Sequence, residues 1–367
     1  MPINLTTIIG ARPQFIKAAS VSRALKSRSP EIKESIIHTG QHYDKEMSDV
    51  FFEEMKIPKP DHFLGIGGLS QGSMTGRMIE SIESIFLKAK PDWILVYGDT
   101  NTTLAASLAA VKLHIPIAHV EAGLRSFNKK MPEEVNRVLT DHLSSLLFTP
   151  TSKGKENLLR EGVSPKKIIE CGDVMADSVF FYAKQAEEKI HLLKELDLSP
   201  RNYVLTTLHR QENTDQSDRF REILEGLFLA SKERRIVWPL HPRTEKILKN
   251  ENLYEKASRL LTLLPPLGYL DMLFLQKNAL VIATDSGGVQ KEAYLLKVPC
   301  LTLREETEWV ELLEKGYNRL VPLSREAIFE CLTTKNESSI EWESSLYGDG
   351  KASETIVKNL IQFSKLE

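Results

Sequence analysis

Two acidic residues lie where the sequence predicts that apolar strands end. Asp99 follows the segment DWILVYG, and Glu121 follows IPIAHV. A buried carboxylate is costly unless it is paired or used in chemistry. Because neighbouring strands of a parallel sheet end at the same edge, we expect Asp99 and Glu121 to lie close together. Clustered carboxylates move each other's pKa values apart, which suits one as a base and another as an acid.

A third acid and two cations stand at the starts of predicted helices. Glu133 begins the segment EEVNR, where an acid can simply complement the helix dipole. Arg12 and Lys17 bracket the helix start in GARPQFIKAA. Cations at that end oppose the dipole, which favours an anionic ligand nearby. Surface cations without a ligand are the alternative interpretation.

In the second half of the chain, ATDSGGVQKEA predicts a strand, a turn and the start of a helix. Glycines at 287 and 288 let a ligand approach the backbone, and the free N–H groups of the helix start favour a diphosphate. We expect Ser286, Gly287 and Gly288 to form this cradle, although a tight turn alone also needs glycine. Glu292, one turn later, could accept from sugar hydroxyls or simply be solvated.

Histidines and arginines follow two further predicted strands. His209 and Arg210 lie in TLHRQEN, and His241 follows RIVWPL. A single histidine is more often structural than catalytic. Together with Arg12 and Lys17, however, these strand-end basic residues favour a pyrophosphate or another anionic leaving group.

The elements that would position these residues follow a regular alternation. Short apolar runs alternate with amphipathic helical segments, which is typical of parallel sheets covered on both faces. We predict an α/β fold of two Rossmann-like, doubly wound domains facing a cleft. The predicted parts are residues 1–172, carrying the acids, residues 173–350, binding the nucleotide, and residues 351–367, a helix packing back on the first domain.

The composition excludes several classes of protein. The chain has 367 residues, a formal net charge of −2 and 41% hydrophobic residues, which argues against a nucleic-acid or membrane surface. The three scattered cysteines, at 171, 300 and 331, favour a reduced, cytoplasmic protein. No metal-spaced set, P-loop lysine or G-x-G-x-x-G after a strand occurs in the sequence. We therefore expect neither a metal nor a nicotinamide cofactor.

Nine motifs in order resemble the non-hydrolysing UDP-N-acetylglucosamine 2-epimerase family, whose fold is termed GT-B. The motifs are GARPQFIK, TGQH, GDTNTTLAASLAA, HVEAGLRS, PEEVNR, HRQEN, DSGGVQKEA, LREETE and YGDGKAS. The resemblance implies catalytic roles for Asp99, Glu121, Glu133 and His209. It also implies that the UDP-sugar is bound by Arg12, Lys17, Arg210, His241, Ser286, Gly287, Gly288 and Glu292, with Glu292 on the ribose.

The resemblance further implies a reaction. UDP leaves with loss of the C2 proton, giving a 2-acetamidoglucal, and then adds back while a proton arrives on the opposite face. The UDP-sugar is the expected partner, no redox cofactor is needed, and a homodimer is typical of the family.

The sequence also departs from the common pattern of this family. Ala11 and Gln14 replace threonine and glutamate, and Trp309-Val310 replace Arg-Pro. These variants resemble the branch acting on UDP-2,3-diacetamido-2,3-dideoxyglucuronate. The segment 43–55 is longer than usual, so we expect no second, activating UDP-sugar site. The sequence also leaves open a glycosyltransferase, a hydrolysing epimerase or an inactive nucleotide-sugar sensor.

Overall fold

The computed structural model describes residues 2–28, 30–41, 52–334, 340–343 and 346–365. The prediction about a second, activating site concerns residues 43–55, most of which lie outside this described part. The chain divides into two compact units. The first contains Met1–Ser178 with Ser344–Glu367, and the second contains Val179–Glu343.

The first unit is built on a seven-stranded sheet whose paired strands are parallel. Its strand order is β3-β2-β1-β4-β5-β6-β7. β4 reads WILVY and is buried at every residue, as expected for a strand covered on both faces. The strands are β1 Ile3–Ile9, β2 Ile32–His38, β3 His62–Phe63, β4 Trp93–Tyr97, β5 Ile117–Val120, β6 Leu146–Thr149 and β7 Ile168–Glu170.

Helices connect these strands and bury one face each against the sheet. In the helix α2, Met74, Met78, Ile82 and Phe86 recur every four residues and are all buried. They pack in one cluster with Ile94 and Val96 of β4. The helices are α1 Arg12–Ser27, α2 Gln71–Lys88, α3 Asn101–Lys112, α4 Pro132–Leu143, α5 Ser152–Arg160 and α6 Val174–Ala186, with a 3₁₀ turn at Pro165–Lys167.

The second unit repeats this architecture with a six-stranded sheet of order β10-β9-β8-β11-β12-β13, again with parallel pairs. Trp238 of β9 is fully buried in its core. The strands are β8 Tyr203–Thr207, β9 Arg235–Pro239, β10 Thr262–Leu264, β11 Val281–Thr284, β12 Cys300–Thr302 and β13 Asn318–Leu320. The helices are α7 His191–Glu195, α8 Gln211–Thr214, α9 Ser217–Ala230, α10 Pro242–Asn250, α11 Tyr254–Leu260, α12 Tyr269–Asn278, α13 Gly287–Leu295, α14 Val310–Glu314 and α15 Arg325–Thr333, after a 3₁₀ turn at Glu187–Ile190.

The strand order of each sheet reverses at one point, and the predicted site loops follow the strands at this point or the strands next to them. In the first unit the reversal is between β1 and β4, and in the second between β8 and β11. Crevices beside such reversal points, at the carboxyl ends of the strands, are the usual ligand sites of open α/β sheets. The prediction of two Rossmann-like, doubly wound domains is confirmed.

The last helix, α16 (Ala352–Phe363), belongs to the first unit and packs against α1. The carboxylate of Asp177 accepts from the backbone N–H groups of Ala352 and Ser353, at 3.1 and 2.7 Å. These bonds satisfy N–H groups that a helix start leaves free. The division between the units falls inside α6, at Ser178, whereas the sequence placed it between residues 172 and 173.

In the part of the chain that the structure describes, no helix combines the length and the apolar character needed to cross a membrane.

Candidate active site

Glu121 lies directly after β5 with its backbone in the left-handed region, at φ 71°. Non-glycine residues in that region store strain, and such strain concentrates at functional sites. Its Oε1 atom is 2.6 Å from Nζ of Lys17, and each side chain is only 8% exposed. Lys17 is therefore not a surface cation. Its charge is compensated by a carboxylate of the same unit.

The loop after β4 passes close to the ion pair of Lys17 and Glu121. Gly98 has φ 63°, a conformation that glycine adopts without strain. A Cβ atom there would lie 3.3 Å from Nζ of Lys17 and 3.4 Å from Oε1 of Glu121. Glycine at this position thus allows the backbone before Asp99 to approach the pair closely.

Arg137, on α4, pairs with Asp99 and lies near Glu134. Its Nη2 atom bonds to Oδ2 of Asp99, and its Nη1 atom is 3.3 Å from Glu134. Burial opposes the charge of Arg137, but the carboxylates of Asp99, Glu134 and Glu121 raise the pKa of its guanidinium overall. Asp99 is therefore paired with Arg137, whereas Glu121 is paired with Lys17.

The two adjacent glutamates of PEEVNR have different environments. Glu133 is exposed on the first turn of α4. Glu134 is 3% exposed, and its carboxylate accepts from the backbone N–H groups of Ser126 and Phe127, each at 2.9 Å. Glu134 therefore fixes the loop before α4. Glu133, the predicted catalytic acid, is open to solvent.

Gln14 joins the loop after β1 to the loop after β4. Its Oε1 accepts from the N–H groups of Gly10 and Ala11, at 2.8 and 3.0 Å. Its Nε2 donates to the carbonyl of Tyr97 at 2.9 Å and to Thr100 Oγ1 at 3.0 Å. The hydrogen bonds of this amide hold the start of α1 against the loop that contains Asp99. The first residue of α1 is the partly buried Arg12.

Gly123, two residues after Glu121, provides a test of how tightly this region is built. It has φ 80°, and an added Cβ would overlap the backbone carbonyl of Gly154. We expect Gly123→Ala to lower the free energy of unfolding by about 3 kcal/mol or more, because strain and overlap add. The control is Gly76→Ala in α2, where nothing lies within 4 Å. It should raise stability by about 0.5–1 kcal/mol.

Urea denaturation of both variants measures these differences. A Gly123→Ala protein as stable as the wild type would show that the backbone around Glu121 is more adaptable than its conformation indicates.

In the second unit, Asp285 organises the loop that carries the predicted histidine. It follows β11, is fully buried, and accepts from the backbone N–H groups of His209 and Arg210 at 3.0 and 2.9 Å. The amide of Asn213 donates to the same oxygen at 3.2 Å. Asp285 Oδ1 is also 3.4 Å from Nδ1 of His209, whose side chain is 38% exposed. A carboxylate on one ring nitrogen orients the histidine and leaves the other side of its ring toward solvent.

His241 stacks on this histidine. The rings of His209 and His241 have centroids 5.6 Å apart and planes inclined by 23°. Nδ1 of His241 accepts from the backbone N–H of Arg243 at 3.2 Å, so His241 is also the N-cap of α10. The structure thus brings His209, Arg210 and His241 together at the carboxyl ends of β8 and β9.

The predicted cradle of Ser286, Gly287 and Gly288 begins α13, with Ser286 as its N-cap. A Cβ at Gly287 would collide with Oε1 of Glu308. Arg304 Nη1 bonds to the other oxygen of Glu308 at 2.7 Å, and Arg210 Nη2 is 3.8 Å from Oε1. Burial disfavours the charge of Glu308, yet Arg304 and Arg210 lower its pKa overall. Arg210 and Gly287 thus both lie next to the carboxylate of Glu308.

Glu292 is not a solvated helix residue. It is 4% exposed, and Oε2 accepts from Nε2 of Gln276 on α12 at 2.7 Å. On the same helix, Nζ of buried Lys291 lies 4.2 Å from the ring centroid of Trp309, one of the residues that depart from the common pattern.

The sequence did not identify Arg137 or Glu308 as members of these sites. Both lie inside quoted motifs, PEEVNR and LREETE, yet each looks like an ordinary charged surface residue until its burial and partners are known.

Comparisons with known proteins agree on one family. A family model described as UDP-N-acetylglucosamine 2-epimerase matches residues 23–361. The chain is 51% identical to a UDP-N-acetylglucosamine 2-epimerase homolog of Methanococcus maripaludis, covering 98% of this chain and 99% of that one. It is 48% identical, with the same coverage, to the UDP-2,3-diacetamido-2,3-dideoxy-D-glucuronate 2-epimerase of Pseudomonas aeruginosa. The crystal structure of Methanocaldococcus jannaschii UDP-GlcNAc 2-epimerase with UDP-GlcNAc and UDP superposes with a TM-score of 0.90 at 44% identity, covering 98% of this chain and all of that one.

Proposed function

The chain belongs to the UDP-N-acetylglucosamine 2-epimerase family of isomerases, and from this premise we propose that it inverts C2 of a UDP-linked N-acetylhexosamine. The favoured substrate is UDP-N-acetylglucosamine, and the product is UDP-N-acetylmannosamine. The M. jannaschii relative, 44% identical, was crystallised with UDP-GlcNAc and UDP, which supports this choice.

The proposed reaction proceeds by elimination and re-addition. A base takes the C2 hydrogen as a proton, the C1–O bond breaks, and its electron pair leaves with UDP. The product of this step is a 2-acetamidoglucal with a C1–C2 double bond. In the second step a proton adds to C2 from the opposite face while a UDP oxygen attacks C1. Both steps balance without an oxidant or a reductant.

Proton removal and return are assigned to the first unit. Asp99 is paired with Arg137, and Glu121 bonds to the buried Lys17 at 2.6 Å. Two carboxylates in different charge environments can hold different protonation states, which inversion between two faces requires. The observation that carries the proposal is this strained, paired Glu121 beside Asp99. Glu133 is proposed as a third, solvent-facing acid.

Binding and departure of UDP are assigned to the second unit. We propose that the N–H groups at the start of α13, with Ser286, Gly287 and Gly288, bind the diphosphate. The backbone N–H groups of His209 and Arg210 donate to Asp285, and these two residues supply positive charge as the phosphate leaves. The ring of His241 stacks on His209 and orients it. Arg12 and Lys17 of the first unit and Glu292 of the second complete the proposed set, with Glu292 on the ribose.

A second candidate substrate is UDP-2,3-diacetamido-2,3-dideoxyglucuronate. The relative that acts on this sugar is 48% identical to the chain along nearly its whole length. Trp309 and Val310 also replace the Arg-Pro of many family members, as expected for that branch. The same elimination applies, because the C1 and C2 substituents that react are alike in both sugars.

A substrate panel read by proton NMR tests the proposal. The purified protein is incubated with each UDP-sugar, with and without added UDP-GlcNAc as an activator of the uronate reaction. We expect UDP-GlcNAc to yield a UDP-linked equilibrium mixture of two C2 epimers. Activity on the uronate alone would overturn the favoured substrate and leave the reaction intact. Free N-acetylmannosamine as the main product would instead indicate a hydrolysing epimerase.

A further inference from the structure

His119, in β5, is a buried histidine with both ring nitrogens bonded. Its side chain is fully buried. Nδ1 lies 2.7 Å from Oδ1 of Asp141 on α4, and Nε2 lies 2.8 Å from the backbone carbonyl oxygen of Gly98. The proposed proton transfers and the proposed departure of UDP do not use this residue.

The two partners determine where the ring carries protons. A carbonyl oxygen can only accept, so Nε2 must donate to Gly98. Asp141 is also an acceptor, because its Oδ2 already takes hydrogen bonds from Nη1 of Arg125 and the backbone N–H of Gly123, at 2.7 and 3.1 Å. Burial raises the pKa of this carboxyl, but its bonds to His119 and Arg125 lower the pKa overall. Nδ1 must then donate as well. With a proton on each nitrogen, the ring of His119 is an imidazolium cation.

Asp141 and His119 belong to a larger group of charged side chains. Oδ2 of Asp141 accepts from Nη1 of Arg125 at 2.7 Å. Arg125 in turn makes a two-pronged pair with Glu161, with Nε and Nη2 at 2.7 and 2.6 Å from its oxygens. Two anions therefore face Arg125 and His119, and the exposed His142 lies 3.4 Å from Glu161 at the rim.

This charged group ties together both acid-bearing loops. The carbonyl of Gly98 immediately precedes Asp99 in the chain. Oδ2 of Asp141 also accepts from the backbone N–H of Gly123, two residues after Glu121, at 3.1 Å. Gly98, Glu121 and Gly123 all have positive φ, at 63°, 71° and 80°. Glycine adopts such backbone freely, but at Glu121 it persists only where the surroundings hold it.

We propose that His119 is a positioning residue: as a buried imidazolium bonded to Asp141 and Gly98, it holds the Asp99 and Glu121 loops in their working geometry without touching substrate. The inference rests on the proposed roles of those two acids. Replacing the imidazolium by a neutral group removes one of its two bonds and leaves Asp141 with Arg125 as its remaining cation, so the loops relax and proton transfer slows.

The protonation state is tested on the wild-type protein by neutron crystallography of perdeuterated crystals at neutral pH. We expect a deuteron on each ring nitrogen of His119 and none on Asp141. A ring nitrogen without a deuteron, or a deuteron on an Asp141 oxygen, would overturn the proposal. This readout requires neither a folded variant nor an active enzyme, so it stands even if the substrate panel fails.

The positioning role is tested with His119→Asn and a matched control, His114→Asn. His114 is exposed, and its φ of 54° is one that asparagine accepts. For His119→Asn we expect kcat to fall about tenfold or more, with KM and UDP affinity within about threefold of the wild type, because the defect concerns proton transfer and not UDP binding. The control should match the wild type. A folded His119→Asn protein with wild-type kcat would refute the role.

Discussion

Replacing Glu121 by glutamine should lower kcat by about 10²- to 10⁴-fold, the range that a positioned acid or base contributes. Glutamine has nearly the same shape but cannot accept the C2 proton. Affinity for UDP should stay within about threefold of the wild type, because the groups proposed to bind UDP lie chiefly in the second unit. The measurements are kcat by NMR and the dissociation constant of UDP by calorimetry.

Loss of stability must be separated from loss of chemistry in this variant. Glu121→Gln leaves the buried ammonium of Lys17 without its carboxylate, and breaking a buried pair from one side costs about 3–5 kcal/mol. The double variant Lys17→Met, Glu121→Gln removes both charges and should recover part of this stability without recovering activity. Glu80→Gln, on the exposed face of α2, is the matched control. Near wild-type kcat in a folded Glu121→Gln protein would exclude Glu121 from proton transfer.

The second large effect is expected at His209. His209→Asn should reduce kcat by about 10²- to 10⁴-fold, since it removes the group proposed to donate a proton or positive charge to departing UDP. Asparagine keeps the backbone N–H that donates to Asp285, so the loop should stay in place. The matched control is His191→Asn, at an exposed histidine of the same unit.

Exchange of labelled UDP into the UDP-sugar pool measures the departure step directly. The exchange rate should fall together with kcat in His209→Asn. Unchanged exchange with lowered kcat would place His209 in proton transfer at C2 and not at the leaving group.

The apolar strands were predictable from sequence because they are continuous. Segments such as WILVY have no polar residue to interrupt them. β2, which reads IKESIIH, gives a weaker signal, because Lys33, Glu34 and Ser35 break its apolar run. Glu34 is nevertheless partly buried, accepting from Thr7 and Ser22 at 2.6 and 3.0 Å, and burial raises its pKa. The burial of such a side chain depends on hydrogen-bond partners that are distant in sequence, and the local sequence does not show them.

For the acids of the candidate site, the sequence could predict the positions that follow from the order of the strands. Adjacent strand ends bring Asp99 and Glu121 to one edge, and a Cβ added at Gly98, the residue before Asp99, would lie 3.4 Å from Oε1 of Glu121. The pairing of Glu121 with Lys17 was not predictable, because 104 residues separate them and the contact depends on side-chain reach. Glu133 and Glu134 differ by one helical position, about 100° around the axis, and sequence alone could not say which faces the interior.

Isotope incorporation from solvent tests the proposed elimination and re-addition most directly. When the enzyme converts UDP-N-acetylglucosamine in heavy water, we expect one deuterium at C2 of the product, detected as loss of the C2 proton signal and a matching mass increase. A product that forms at the normal rate while retaining its original C2 hydrogen would contradict elimination and re-addition of UDP.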